Sequence, residues 1–142
     1  MNPDEFTIVV ESSKGAREAL VDLWKAALGA GWVVVGDYDL TGLLAGRDEG
    51  DGSSESGEEG LEIKSLDICH PELARPFVEA ELRTALCMPC NVLVCAEGGR
   101  TRLMAMRPGV MMPRLFAEAT RELGDLPERV DRELERILQA AA

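Results

Sequence analysis

The chain predicts an α+β fold: one domain, a mainly antiparallel sheet of about five strands, and helices backing it. Three observations predict this. Short runs rich in β-branched and apolar residues recur at 6–10, 32–38, 61–68, 91–96 and 101–107. Segments with apolar residues at helical spacing lie between and after them, at 16–27, 73–86 and 126–138. Glu97-Gly98-Gly99-Arg100 reads as a hairpin turn joining the last two strands. A chain of 142 residues has the length of one domain with a real core. Only 4% of it is aromatic, so that core must come from Val, Leu, Ile, Ala and Met.

The first strand is Phe-Thr-Ile-Val-Val, residues 6–10. Ser12 or Ser13 can cap the following helix. Ala16, Leu20, Leu23, Trp24 and Ala27 mark its buried face, and Gly29 and Gly31 stop it. The second strand starts at Trp32 and runs to about Tyr38. Asp39 can then cap one turn containing Leu43 and Leu44, although Gly42 and Gly46 weaken it. Residues 48–60 contain no apolar side chain. Such a tract cannot bury enough surface to offset its ordering entropy, so a mobile acidic loop is expected at about 48–60.

Leu61, Ile63, Leu66 and Ile68 punctuate the third strand, with an irregularity expected near Lys64-Ser65. Pro71 suits the first position of a helix. Leu73, Phe77, Leu82, Ala85 and Leu86 would form its apolar face, and Pro76 should kink it. Pro89 ends that segment. The fourth strand follows at 91–96, and the fifth at 101–107 places Leu103 and Ala105 on one face and Arg102, Met104 and Met106 on the other. Pro108-Gly109 breaks this strand, and Pro113 opens a helix to about Leu123. After Gly124-Asp125 the last helix carries a stripe of Leu126, Val130, Leu134, Ile137 and Leu138.

Net charge is −11, which disfavours nucleic-acid phosphate and anionic lipid as partners. No apolar run approaches the ~20 residues of a transmembrane helix. The start of the chain lacks the basic and apolar regions of a secretory signal. The expected compartment is therefore the cytoplasm, where four cysteines are more often free thiols, ligands or redox groups than disulfides.

Residues 66–94 hold the single histidine and three of the four cysteines. Within them stand Ile68-Cys69-His70-Pro71 with Ala74, and Met88-Pro89-Cys90-Asn91-Val92 with Val94. Arg107-Pro108 with Met111 or Met112, and Gly31-Trp32, complete a pattern. It resembles the bacterial and archaeal family called domain of unknown function 302, over roughly residues 5 to 140. The resemblance implies an antiparallel sheet backed by helices, and a homodimer. This chain departs from it at His70, where Asn is usual, at Cys87, where Leu is common, and in the acidic insertion.

Candidate functional residues are Cys69, His70, Cys90 and Asn91. Cys69 ends a strand and Cys90 begins one. A helix of about 16 residues between them would be ~24 Å long. A site using both cysteines is thus not expected unless the connection folds back. Cys87-Met-Pro-Cys90 has redox-motif spacing, but it follows a helix, whose negative end disfavours thiolate. The plainer reading makes Cys90 a small core residue. His70 falls at a helix N-cap, where a neutral imidazole nitrogen can accept a backbone N–H. Cys69, His70, Cys87 and Cys90 have the ligand count for zinc without its usual spacing. Met104, Met106, Met111 and Met112 suggest a thiophilic surface, or simply side chains that fill irregular gaps.

The leading expectation is a cytoplasmic, dimeric module that binds a small molecule or a protein, non-enzymatic by default and without a cofactor. A thiol-based redox or sulfur-handling protein using Cys69 or Cys90, and a soft-metal module, are the alternatives.

Overall fold

The computed structural model describes residues 1–46 and 60–142. Five strands form one sheet: β1 (Thr7–Ser12), β2 (Val33–Asp39), β3 (Glu62–Cys69), β4 (Cys90–Glu97) and β5 (Arg100–Met106). Their order is β1-β5-β4-β3-β2, and every neighbouring pair is antiparallel. The helices are α1 (Pro3–Phe6), α2 (Ala16–Gly29), α3 (Leu40–Leu44), α4 (Pro71–Ala80), α5 (Pro108–Leu115), α6 (Ala117–Glu122) and α7 (Leu126–Ala141). The predicted α+β class, with an antiparallel sheet and helices, is what the chain forms. The acidic loop expected at about 48–60 lies outside the described residues except for Gly60. No described helix is long and apolar enough to cross a membrane.

Register explains the core. Ile8 stands opposite Ala105, Ala105 opposite Val92, and Val92 opposite Leu66. Paired residues share a face, so these four form one row across the sheet. All are at most 6% exposed. Val10, Leu103 and Val94 form the next row. α2 packs over β2, β3 and β4, and α7 over β1 and β5, with the two helices against each other.

The stripe on α7 buries Val130, Leu134, Ile137 and Leu138. Each such side chain gains roughly 1.5–3 kcal/mol on burial, far more than any one residue's helix propensity. Packing therefore holds α7 in place. On α2 the buried residues are Ala16, Ala19, Leu23 and Ala27. Three alanines bring the helix close to the sheet, and the bulky Trp24, expected inside, is left 37% exposed.

Other expectations shift for local reasons. Asp39 does cap α3, accepting from the Gly42 N–H at 3.1 Å. Its leucines, however, are outside: Leu43 is 62% exposed and Leu44 75%. The irregularity expected in β3 is carried by its partner β2, where the register slips between Val34 and Gly36. Gly36 loosens that strand. Pro108 rather than Pro113 opens the helix after β5. Pro113 lies inside α5, which ends shortly after, at Leu115.

The start of α5 is held from outside. Arg107, its N-cap, makes no side-chain capping bond. The backbone N–H of Gly109 instead donates to the Asp131 carboxylate on α7. The two helices cross so closely here that a Cβ on Gly109 would lie 2.7 Å from Asp131 Oδ2 and 3.2 Å from the Glu128 Cα. The other carboxylate oxygen, Oδ1, is buried without a partner. Burial pushes the Asp131 carboxyl up, against the lowering effects of the Gly109 N–H and Arg107, and with Glu128 and Glu135 reinforcing the rise.

A carboxyl with a raised folded pKa binds its proton more tightly folded than unfolded. Its destabilising charge is fully present above the folded pKa and is relieved as pH falls toward the unfolded value. Asp131→Asn keeps an acceptor for Gly109 and removes the charge. It should raise the urea midpoint at pH 7 and flatten the pH dependence just above the ordinary carboxylate range. Gly109→Ala should cost roughly 1–3 kcal/mol through overpacking. Urea unfolding of both variants from pH 4 to 8 checks this.

Candidate functional site

The strands bring Cys69 and Cys90 to one place. Ile68 on β3 pairs with Cys90 on β4, so the end of one strand and the start of the next meet at the same end of the sheet. The expected separation by a helix length is therefore wrong. The connection folds back instead. α4 is only ten residues long and starts at Pro71, with His70 as its N-cap: Nδ1 accepts from the Leu73 N–H at 3.3 Å. Glu81, in extended conformation at φ −156°, stops it. The Glu81 carboxylate then accepts from the Arg83 N–H at 2.8 Å and from Arg83 Nη2 at 2.7 Å. Arg83 holds that carboxyl down to about 2. The Thr84 hydroxyl donates to the Glu81 carbonyl at 2.8 Å. A 3-10 segment, Leu82–Cys87, returns the chain to the sheet. Leu82 and Leu86, expected on a buried helix face, are 74% and 85% exposed.

A cavity of about 610 Å³ opens at this end of the sheet. β3 and β4 contribute Cys69, Cys90, Asn91 and Leu93, and β5 contributes Met104, Ala105 and Met106. From α4 come Leu73, Ala74 and Phe77, and from α5 come Pro108, Met111, Met112 and Leu115. Trp32, Cys87, Met88 and Pro89 also reach it. Among the described residues no Asp, Glu, Lys or Arg lines it, although 29% of the chain is charged. The walls are thus apolar groups and sulfur, with His70, Asn91 and Thr7 as the polar side chains.

All four candidate residues, Cys69, His70, Cys90 and Asn91, line this cavity. The His70 ring meets the Trp32 indole edge to face, with centroids 5.8 Å apart. Trp32 is 3% exposed, and its indole N–H has no oxygen or nitrogen acceptor, leaving the imidazole as its aromatic neighbour. The Asn91 amide nitrogen donates to Asp67 Oδ1 at 2.7 Å and to the Ser65 hydroxyl. The Ser65–Asp67 pair therefore orients Asn91 from β3. The methionines read as a thiophilic surface, Met104, Met106, Met111 and Met112, face the same cavity. Phe77 also lines the cavity, where its helical spacing in the sequence points only to ordinary core.

The four cysteines are free. Burial, and then the neighbouring Cys69 and Cys87, push the Cys90 thiol up to about 12. Burial also raises Cys69. Cys95 is buried and points to the other side of β4 from Cys90's row. Among the described residues no group of three or more His, Cys, Asp or Glu is arranged to hold a metal ion. Cys69, His70, Cys87 and Cys90 thus share a cavity without forming such a centre.

A thiol at about 12 has little thiolate at neutral pH, and its higher intrinsic nucleophilicity offsets only part of that loss. Cys90 should react with iodoacetamide at pH 7 at least about fiftyfold more slowly than free cysteine. Mass spectrometry of timed alkylation checks this. Rapid labelling of Cys90 would restore the thiol-enzyme alternative.

Among curated proteins, none is similar to this chain. A crystal structure of an uncharacterized conserved DUF302 protein from Bacillus stearothermophilus has the same fold, with a TM-score of 0.78 at 19% identity. The match covers 96% of this chain and 98% of that one. The paired segments around Cys69 and Cys90, which meet at the mouth of the cavity, lie within residues 8–141, and these match the family described as "Domain of unknown function DUF302"; the chain belongs to that family.

Proposed function

We propose that this protein is a dimeric module that binds an uncharged, apolar small molecule in the cavity at the end of its sheet. One observation carries the reading: a ligand-sized space that, among the described residues, no Asp, Glu, Lys or Arg lines, in a chain whose net charge is −11. Pockets of ~300–1,000 Å³ with mainly apolar walls and a few fixed polar groups are typical of small-ligand sites. His70 and Asn91 supply the polar groups here. Each is oriented by a hydrogen bond, His70 from the backbone N–H of Leu73 and Asn91 to the Ser65–Asp67 pair. Among the described residues a phosphate, nucleotide or carboxylate would meet no Lys or Arg side chain inside to offset its lost hydration.

The raised thiols favour binding over nucleophilic chemistry. Four free cysteines fit a reducing cytoplasm. The dimer rests on the other sheet face and its edge. Val9 and Val33 alternate away from the core and are 49% and 48% exposed. A second copy covering them would remove apolar surface from water.

Nile red, a neutral dye that brightens in apolar surroundings, should bind one per chain. The anionic dye anilinonaphthalene sulfonate should bind at least about tenfold more weakly. Ala74→Phe, which narrows the cavity from α4, should reduce Nile red affinity by a similar factor. Equal binding of the two dyes, or an unchanged Ala74→Phe, would remove the reading.

Light scattering at tens of micromolar, an order typical of weak association, should give twice the chain mass. Val9→Lys should shift it to one chain. A wild-type monomer under these conditions removes the dimer.

A further inference from the structure

We infer that the cavity prefers a planar aromatic ligand over a saturated one of the same size. The inference rests on the proposed binding of a neutral apolar molecule and adds the chemistry of its walls. Five of the chain's six methionines, Met88, Met104, Met106, Met111 and Met112, line this one cavity, as do three of its four cysteines. The remaining sulfur residues are Met1 at the chain end and Cys95. The enrichment is confined to the site.

The thioethers arrive from separate elements. Met104 and Met106 come from β5, two residues apart and on one face of it. Met111 and Met112 come from α5, and Met88 lies just before β4. A molecule lodged among them meets sulfur from more than one side. Methionine loses more rotamer freedom on ordering than leucine does, so five of them are a poor way to line a cavity for alkanes alone. What methionine adds is a polarisable sulfur, which makes favourable contacts with aromatic rings, often at the ring edge. Phe77 and the Trp32–His70 pair add aromatic surface beside these sulfurs. A ring offers edge and face to both kinds of wall. A cyclohexane ring of equal bulk gains burial alone.

The lack of Lys and Arg in the lining, among the described residues, decides between aromatic classes. An aromatic carboxylate would bring a charge into a space without either side chain to pair it, whereas an aromatic alcohol would bring none. A soft metal ion is the other chemistry sulfur suggests, and it would compete with a ring for the same thioethers.

Calorimetric titration with three probes of one size tests the inference: 2-naphthalenemethanol, its decahydro analogue and 2-naphthoate. The aromatic alcohol should bind about tenfold or more tightly than the saturated alcohol, and naphthoate at least about tenfold more weakly than the aromatic alcohol. In Met104→Leu/Met111→Leu the ratio of the two alcohols should fall toward one, with circular dichroism and urea unfolding reporting that the variant is folded. Met111→Leu alone, on α5, gives the same readout should the double variant not fold. Equal affinity for the two alcohols in wild type, or an undiminished ratio in both variants, overturns the inference while leaving apolar binding intact. Binding of neither alcohol, together with failure of Nile red, overturns the proposed function itself. Stoichiometric Cu(I) uptake that displaces bound 2-naphthalenemethanol, with no aromatic preference, would assign the sulfurs to a metal instead.

Discussion

The antiparallel pairing of β3 with β4 is the constraint on which the site depends. Once Ile68 is hydrogen-bonded opposite Cys90, the twenty-odd residues between the strands must leave and re-enter at the same end of the sheet. A single long helix cannot do that. The chain solves the problem with a short helix, an extended residue at Glu81, and a return segment of 3-10 geometry. Glu81 serves both halves. Its backbone N–H closes the last turn of α4 onto the Phe77 carbonyl, and its carboxylate caps the segment that follows. The cavity mouth is the space enclosed by that excursion. His70 stands at its exit and Cys87 at its re-entry.

Much of this was legible in the sequence, and the failures share a cause. Strands, hairpin and last helix follow from periodicity, because burial of one face dictates both pattern and structure. His70 was legible as a cap because Pro71 fixes where the helix starts. The fold-back was not. Residues 73–86 keep apolar side chains at nearly helical spacing, and Pro76, the obvious breaker, lies inside α4 without ending it. The true break is Glu81, whose signal is an acidic side chain two residues before Arg83 and three before Thr84, a local capping pattern that helical periodicity overrode. Misreading one helix as long placed Cys69 and Cys90 apart. Trp24 failed similarly: spacing alone cannot tell which of two neighbouring apolar positions the alanine stripe of α2 will press against the sheet.

Charge is partitioned sharply in this molecule. Acidic residues exceed basic ones by 26 to 15, yet none of either sign lines the cavity among the described residues. Ionic groups instead brace the elements that form it. Asp67 holds Asn91, Arg83 holds Glu81, and Asp131 holds the start of α5, which forms one wall. Electrostatics here acts on the frame, and the interior is left to dispersion and shape. That division also explains why the Cys69 and Cys90 thiols are pushed up: the surroundings that disfavour a charged ligand disfavour thiolate equally.

The slipped register in β2 has a consequence for how the molecule behaves in company. β2 closes one side of the sheet, and among the described residues no strand pairs with its outer hydrogen-bonding groups. A regular, flat border of this kind is a template on which further chains can polymerise. Here the extra residue between Val34 and Gly36 interrupts the repeat, and Asp37 and Asp39 add like charges along the same strand. An incoming strand would lose its alignment within a few residues and meet repulsion beyond it. The irregularity thus acts as a guard against fibre growth, and straightening it by removing Val35 would be the shortest route to an aggregating variant.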